Sequence, residues 1–207
     1  MILTKELRAE IQGRREPAEM LNGKLVPGSV LFIRKMLSTV TDPHDRNDLL
    51  GELAGEYLRA GLDDEHLLVQ RERVADHPDA AIMWLGLAHS LSMRKDGAEE
   101  AKQAVAKGVE VSRCVGTLVR YALTCQAEVA RKTNDAALFA QTLRELIADA
   151  PKQRADDSGV DDSVLRDLPD GFCPPELQHE YRQMLQQYRS SEDDGSTAAR
   201  PADRPNR

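Results

Sequence analysis

The chain is short of aromatic residues. One Trp, four Tyr and three Phe amount to 4 % of 207 residues. Ala and Leu therefore carry most of the apolar weight, and such residues lose little rotamer freedom in a helix. No sustained period-two run of Val, Ile and aromatics is present, so strand-built folds are disfavoured. Cysteine is scarce and odd in number: Cys114, Cys125 and Cys173. That excludes a disulfide framework and fits a reducing, cytoplasmic setting. The longest apolar run, residues 80–88, is far too short to span a bilayer. The N-terminal stretch MILTKELRAEIQ carries acids early and does not read as a signal peptide. Positive charge is in deficit, with 28 Lys and Arg against 35 Asp and Glu, a net charge of −7. A broad nucleic-acid surface needs clustered cations and is not expected.

Catalytic and metal motifs are also missing. His44, His66, His77, His89 and His179 are scattered and form no metal-binding pair at helical spacing. His66 and His77 are expected to be solvated. Cys114 and Cys125 lie 11 residues apart, too far for one zinc site on a single helix. Cys125 reads as a small core residue. The acidic stretch DDSGVDD at 156–162 does not match a calcium loop, because its Gly is misplaced and no Glu closes it. There is no glycine-rich phosphate loop and no Gly-x-Ser-x-Gly. No enzyme activity, cofactor or metal is expected.

What the chain has is helical periodicity broken by short turns. Thr4 is placed to cap a first helix over 5–12. Pro17 is expected to open a short second helix to Asn22, and a third spans 29–40, closed by Asp42-Pro43. Helices then follow over 46–59, 64–75, 80–93, 98–111, 118–132 and 136–150. The joints between them are short and rich in Gly, Asn, Asp or Pro, which implies antiparallel neighbours. This is an all-α fold of three helical hairpins over 46–151, with the helices of 1–45 packing on or capping them. An acidic loop is expected over 152–173, a C-terminal capping helix over 174–189 and a disordered tail over 190–207.

The hairpins repeat. Leu50, Leu53-Ala54 and Tyr57 recur as Trp84, Leu87-Ala88 and Leu91, then as Leu123, Gln126-Ala127 and Ala130. The step from Leu50 to Trp84 is 34 residues, and Pro78 and Pro151 close the first and third units. Ala101 and Val105, then Phe139 and Leu143, occupy matching positions of the second helices. This pattern resembles the tetratricopeptide repeat, a 34-residue helix-turn-helix unit. There are departures. His66 and Gln70 stand where small and aromatic residues are usual, Gln126 replaces Leu, and the second step is 39 residues.

The resemblance implies a short right-handed superhelix whose ends need capping helices. It implies close helix approach at Ala54, Ala88 and Ala127, and Trp84 filling the gap between hairpins. It also implies a concave groove lined by the first helix of each hairpin. The groove positions carried over are Asp48, Gly51, Glu52, Gly55 and Arg59; Ile82, Leu85, His89, Ser92 and Met93; and Tyr121, Thr124, Glu128 and Lys132. The family's Lys and Asn clamp for a C-terminal carboxylate is absent. The central candidates for a partner site are Ile82, Leu85, His89, Met93 and Tyr121, flanked by Glu128 and Arg59.

The leading expectation is a cytoplasmic adaptor or scaffold that holds a partner peptide or helix, with no nucleic-acid or membrane partner. The alternative is a dedicated chaperone or immunity-type neutraliser of a basic protein, met through acidic faces. Monomer and homodimer are equally compatible with the sequence.

Overall fold

A computed structural model describes residues 4–16, 18–21, 23–149, 173–184 and 186. The described fold is all-α apart from one two-stranded ribbon. Its elements are α1 (Lys5–Gly13), β1 (Ala18–Leu21), β2 (Lys24–Pro27), α2 (Gly28–Leu37), α3 (Pro43–Arg59), α4 (Asp63–Asp76), α5 (Ala81–Ser92), α6 (Ala98–Val115), α7 (Val119–Lys132) and α8 (Ala136–Asp149). A 3-10 turn at Pro175–Leu177 leads into helical residues 178–184. The chain divides into two compact units, Met1–Val115 and Gly116–Arg207. In the first, α2 packs on α3, α3 on α4, α4 on α5 and α5 on α6. In the second, α7 packs on α8.

Side-chain caps set several helix starts. Thr4 Oγ1 accepts from the Leu7 amide at 3.2 Å, as its position predicts. Asp42 does not close α2. It opens α3, accepting from the His44 and Asp45 amides, with Pro43 in the first turn. Hairpins one and three share a turn. The Leu62 amide donates to Tyr57 O across Gly61, and the Asp135 amide donates to Ala130 O across Asn134. Gly61 (φ 68°) and Asn134 (φ 54°) are both left-handed. Tyr57 and Ala130 are positions that the sequence pattern aligns, and the two turns share this geometry.

The helix expected from Pro17 to Asn22 is replaced by the ribbon. Ala18–Leu21 pairs antiparallel with Lys24–Pro27, with Met20 opposite Leu25. The intervening sequence is Asn22-Gly23, a strong hairpin signal that outweighs the weak local helix pattern. One apolar cluster holds the ribbon, α1 and α2 to α3, drawing on Ile11, Val26, Val30, Ile33, Leu49, Leu50, Leu53 and Tyr57.

Within this cluster a carboxylate is buried. Glu56 on α3 is 1 % exposed. It accepts from Arg15 Nη2 at 3.0 Å, from Ser29 Oγ at 2.8 Å and from Arg59. Burial by itself would raise its pKa. The bonds from Arg15, Arg59 and Ser29 and the charge of Arg59 outweigh burial and lower it. The carboxylate thus ties the segment after α1 and the start of α2 to α3.

The repeat positions Ala54, Ala88, Ala101, Val105, Ala127, Phe139 and Leu143 are all buried. In hairpin two, an added Cβ at Gly108 of α6 would lie 2.6 Å from Leu85 Cδ2 of α5. In the second unit Tyr181 and Met184 are buried, and Arg144 on α8 pairs with Glu176 at 3.1 Å. The expected acidic loop and disordered tail, together with Pro151, Leu185 and Tyr188, lie outside the described residues.

Two outcomes follow from this packing. Gly108→Ala drives the new methyl into the buried Leu85 side chain, which must shift, and is expected to lower unfolding free energy by about 1–3 kcal/mol in urea melts. Glu56→Gln loses its charge-assisted bonds, at a cost of about 1–3 kcal/mol near neutral pH. Because the folded-state pKa of Glu56 is lowered, its contribution is complete above the ordinary Glu value of 4.5 and disappears as pH falls through the lowered value. The gap between wild type and Glu56→Gln should therefore narrow below that value. A gap that stays constant with pH would rule out the linkage.

Candidate interaction face on α3 and α5

The candidate face depends on a polar row from α4. His66 was expected to be solvated, but it is 8 % exposed. Its Nδ1 lies 2.9 Å from Ala54 O on α3, and its Nε2 lies 2.7 Å from Ser90 Oγ on α5. A carbonyl only accepts, so Nδ1 carries hydrogen. Nε2 of the neutral ring then accepts from the Ser90 hydroxyl. In a charged ring it would donate to that oxygen, leaving the Ser90 hydrogen for Gly86 O at 2.9 Å. Both protonation states are satisfied, and either one ties three helices together.

Gln70 and Arg73 continue the row. Arg73 Nη1 donates to Gln70 Oε1 at 3.3 Å, and Arg73 Nε donates to Asn47 Oδ1 at 3.1 Å. A Cβ at Gly51 of α3 would meet the Arg73 guanidinium, and one at Gly86 of α5 would meet Gln70. The polar groups of α4 thus lie directly beside the backbone of both first helices. Burial lowers the Arg73 pKa, while the Asp48 carboxylate opposes that shift. The departures His66 and Gln70 thus hold polar bonds where an aromatic contact would otherwise form.

The side chains exposed beside this row follow from helix geometry. On α5, Ala81, Leu85 and Ala88 form one buried stripe and Met83, Leu87 and Leu91 another. Ile82, Gly86, His89 and Met93 lie between them. Ile82 is 43 % and Met93 69 % exposed, and His89 is exposed. Leu85 departs from its expected place in the groove. It is 2 % exposed and sits against Gly108, being turned about 60° from Ile82 around the helix. On α3, Asp48 and Arg59 are exposed and Gly51, Glu52 and Gly55 half-buried. Arg59 is engaged with Glu56, and Glu52 pairs with Arg8 at 3.4 Å. Trp84 is half-buried, and its Nε1 donates to Pro78 O at 2.8 Å, which locks the turn before α5 onto that helix.

Tyr121 and Glu128 lie in the second unit, on α7. Tyr121, Cys125, Glu128 and Lys132 fall on one helical stripe. Glu128 pairs with Lys132 at 2.6 Å. The Cys125 sulfur, burial and Glu128 push the Tyr121 phenol up to about 12, and burial pushes the Cys125 thiol up to about 11. Thr124 is buried and bonds back to Arg120 O at 3.0 Å. Gln126, standing where Leu is usual, accepts from Thr142 of α8 at 3.0 Å. Among the described residues no group of three or more His, Cys, Asp or Glu is placed to hold a metal, and no helix is long and apolar enough to cross a membrane.

No known family model matches the chain, and neither a curated protein nor a solved structure matches it.

Thiol labelling checks the α7 environment. Cys114 is exposed, whereas Cys173 is buried and its pKa, like that of Cys125, is raised by burial. One thiol, Cys114, should react rapidly at neutral pH and the other two slowly. Rapid labelling of Cys125 in the folded protein would contradict its placement. His66→Ala should cost about 1–3 kcal/mol, since it strands the Ala54 carbonyl. An unchanged denaturation midpoint would show that the three-helix tie is dispensable.

Proposed function

We propose that the chain is a non-enzymatic protein-interaction module of the tetratricopeptide-like kind, with a partner peptide or helix seated on the exposed stripes of α3 and α5. One observation carries this reading. α5 is apolar on nearly every side, and its only open stripe still presents two large apolar side chains, Ile82 and Met93. Exposed apolar side chains beside fixed polar groups are what an amphipathic partner helix anchors on. The polar row of α4 holds the two helices in place beforehand, so little order is lost on this side when a partner binds. Buried small residues at the repeat positions and the shared turn of hairpins one and three support the repeat assignment.

The net charge of −7 favours a second reading, a dedicated chaperone or neutraliser of a basic partner. Charge steering would then make association fall steeply with salt.

Ile82→Glu/Met93→Glu changes two exposed positions and should leave the helical content intact. Partner proteins retained from a lysate should be lost, or bind about tenfold more weakly, with this variant. Tyr121→Ala tests the α7 stripe in the same way. Retention that ignores Ile82→Glu/Met93→Glu would overturn the proposal, and an association rate independent of salt would remove the second reading.

A further inference from the structure

We infer that the cleft bounded by α2, α3 and α4 is a binding site for a small apolar carboxylate, such as a medium-chain fatty acid or an arylalkanoic acid. The cleft is open on one side and offers about 400 Å³, within the range of small-molecule sites. Leu50, Leu53 and Tyr57 of α3 form its floor, with Leu37 on one wall and Leu68 and Val69 on the other. Leu68 is 63 % exposed. A large side chain left open beside an apolar floor gains transfer free energy when a ligand covers it.

Charge selects the ligand. Arg34, Arg46, Glu65 and Glu72 also line the cleft. Arg46 at the far end bonds Glu72 and reaches Asp76 at 3.4 Å. Glu65 holds Lys24 at 2.6 Å. Arg34 remains. Its Nη1 donates to the Tyr57 hydroxyl at 3.1 Å, and among the described residues no carboxylate pairs with it. This is notable in an acid-rich chain, where Arg15, Arg46, Arg59, Arg71 and Arg94 each hold one. Tyr57 is 2 % exposed, so its phenol is a fixed anchor for the guanidinium. The remaining N–H groups of Arg34 can take a carboxylate in the paired geometry that Arg favours. An apolar body on the leucines with its anion on Arg34 satisfies both features.

The site is independent of the face on α3 and α5. The test is a calorimetric and amide-NMR titration of the full chain with octanoate, with octanol and octylamine as controls. Octanoate should bind saturably and shift amides of α2, α3 and α4. The two controls should bind about tenfold more weakly or worse. Arg34→Gln, at an exposed position, should bring octanoate down to the level of octanol. Leu68→Glu should remove binding, while Arg71→Gln and Ile82→Glu/Met93→Glu should leave it unchanged. If Arg34→Gln loses helical content, Arg34→Lys and the ligand series decide instead. Equal binding of octanoate and octanol, preference for octylamine, shifts on another surface, or no binding at millimolar octanoate would each overturn the inference. So would a partner protein that needs Leu68 in a chain that ignores octanoate.

Discussion

The relative placement of α3, α4 and α5 turns on one imidazole. His66 is buried among α3, α4 and α5 and spans from a backbone carbonyl to a hydroxyl. A buried polar group without partners is costly, so this ring fits only one relative placement of the three helices. Apolar packing tolerates sliding; two directional bonds do not. Gln70 and Arg73 extend the constraint, because their bonds to each other and to Asn47 fix the side of α4 that lies beside the first helices.

A second buried polar group does the same work for the N-terminal elements. The Glu56 carboxylate needs cations in the apolar cluster, and Arg15 and Arg59 supply them. Breaking such a pair leaves an uncompensated charge. α1, the ribbon and α2 are thereby held on α3 by more than hydrophobic area. The cleft that Arg34 and Leu68 share exists because α2 and α4 both lie against α3.

The helical hairpins themselves were legible. Ala54, Ala88 and Ala127 recur at the same place in the repeated sequence pattern, and all three are buried. The helix limits read from Gly, Asn and Asp turns fall close to those observed, since these residues act within a few bonds of themselves. The ribbon was legible in Asn22-Gly23 but was masked by a proline that also suits a helix start. Leu85 and His66 were not legible. α5 is apolar around most of its circumference, so its own periodicity cannot tell which leucine is covered. The covering of Leu85 rests on Gly108, more than twenty residues away.

By itself, then, the sequence determined the run of helices from α3 to α8 and the short turns between them, because capping, turn geometry and periodicity are local effects. The tertiary structure alone decided which polar residues are buried, that Arg59 serves Glu56, and that Arg34 is left beside a cleft with an apolar floor. Burial and charge pairing depend on residues brought together across the chain, and no local pattern encodes those neighbours.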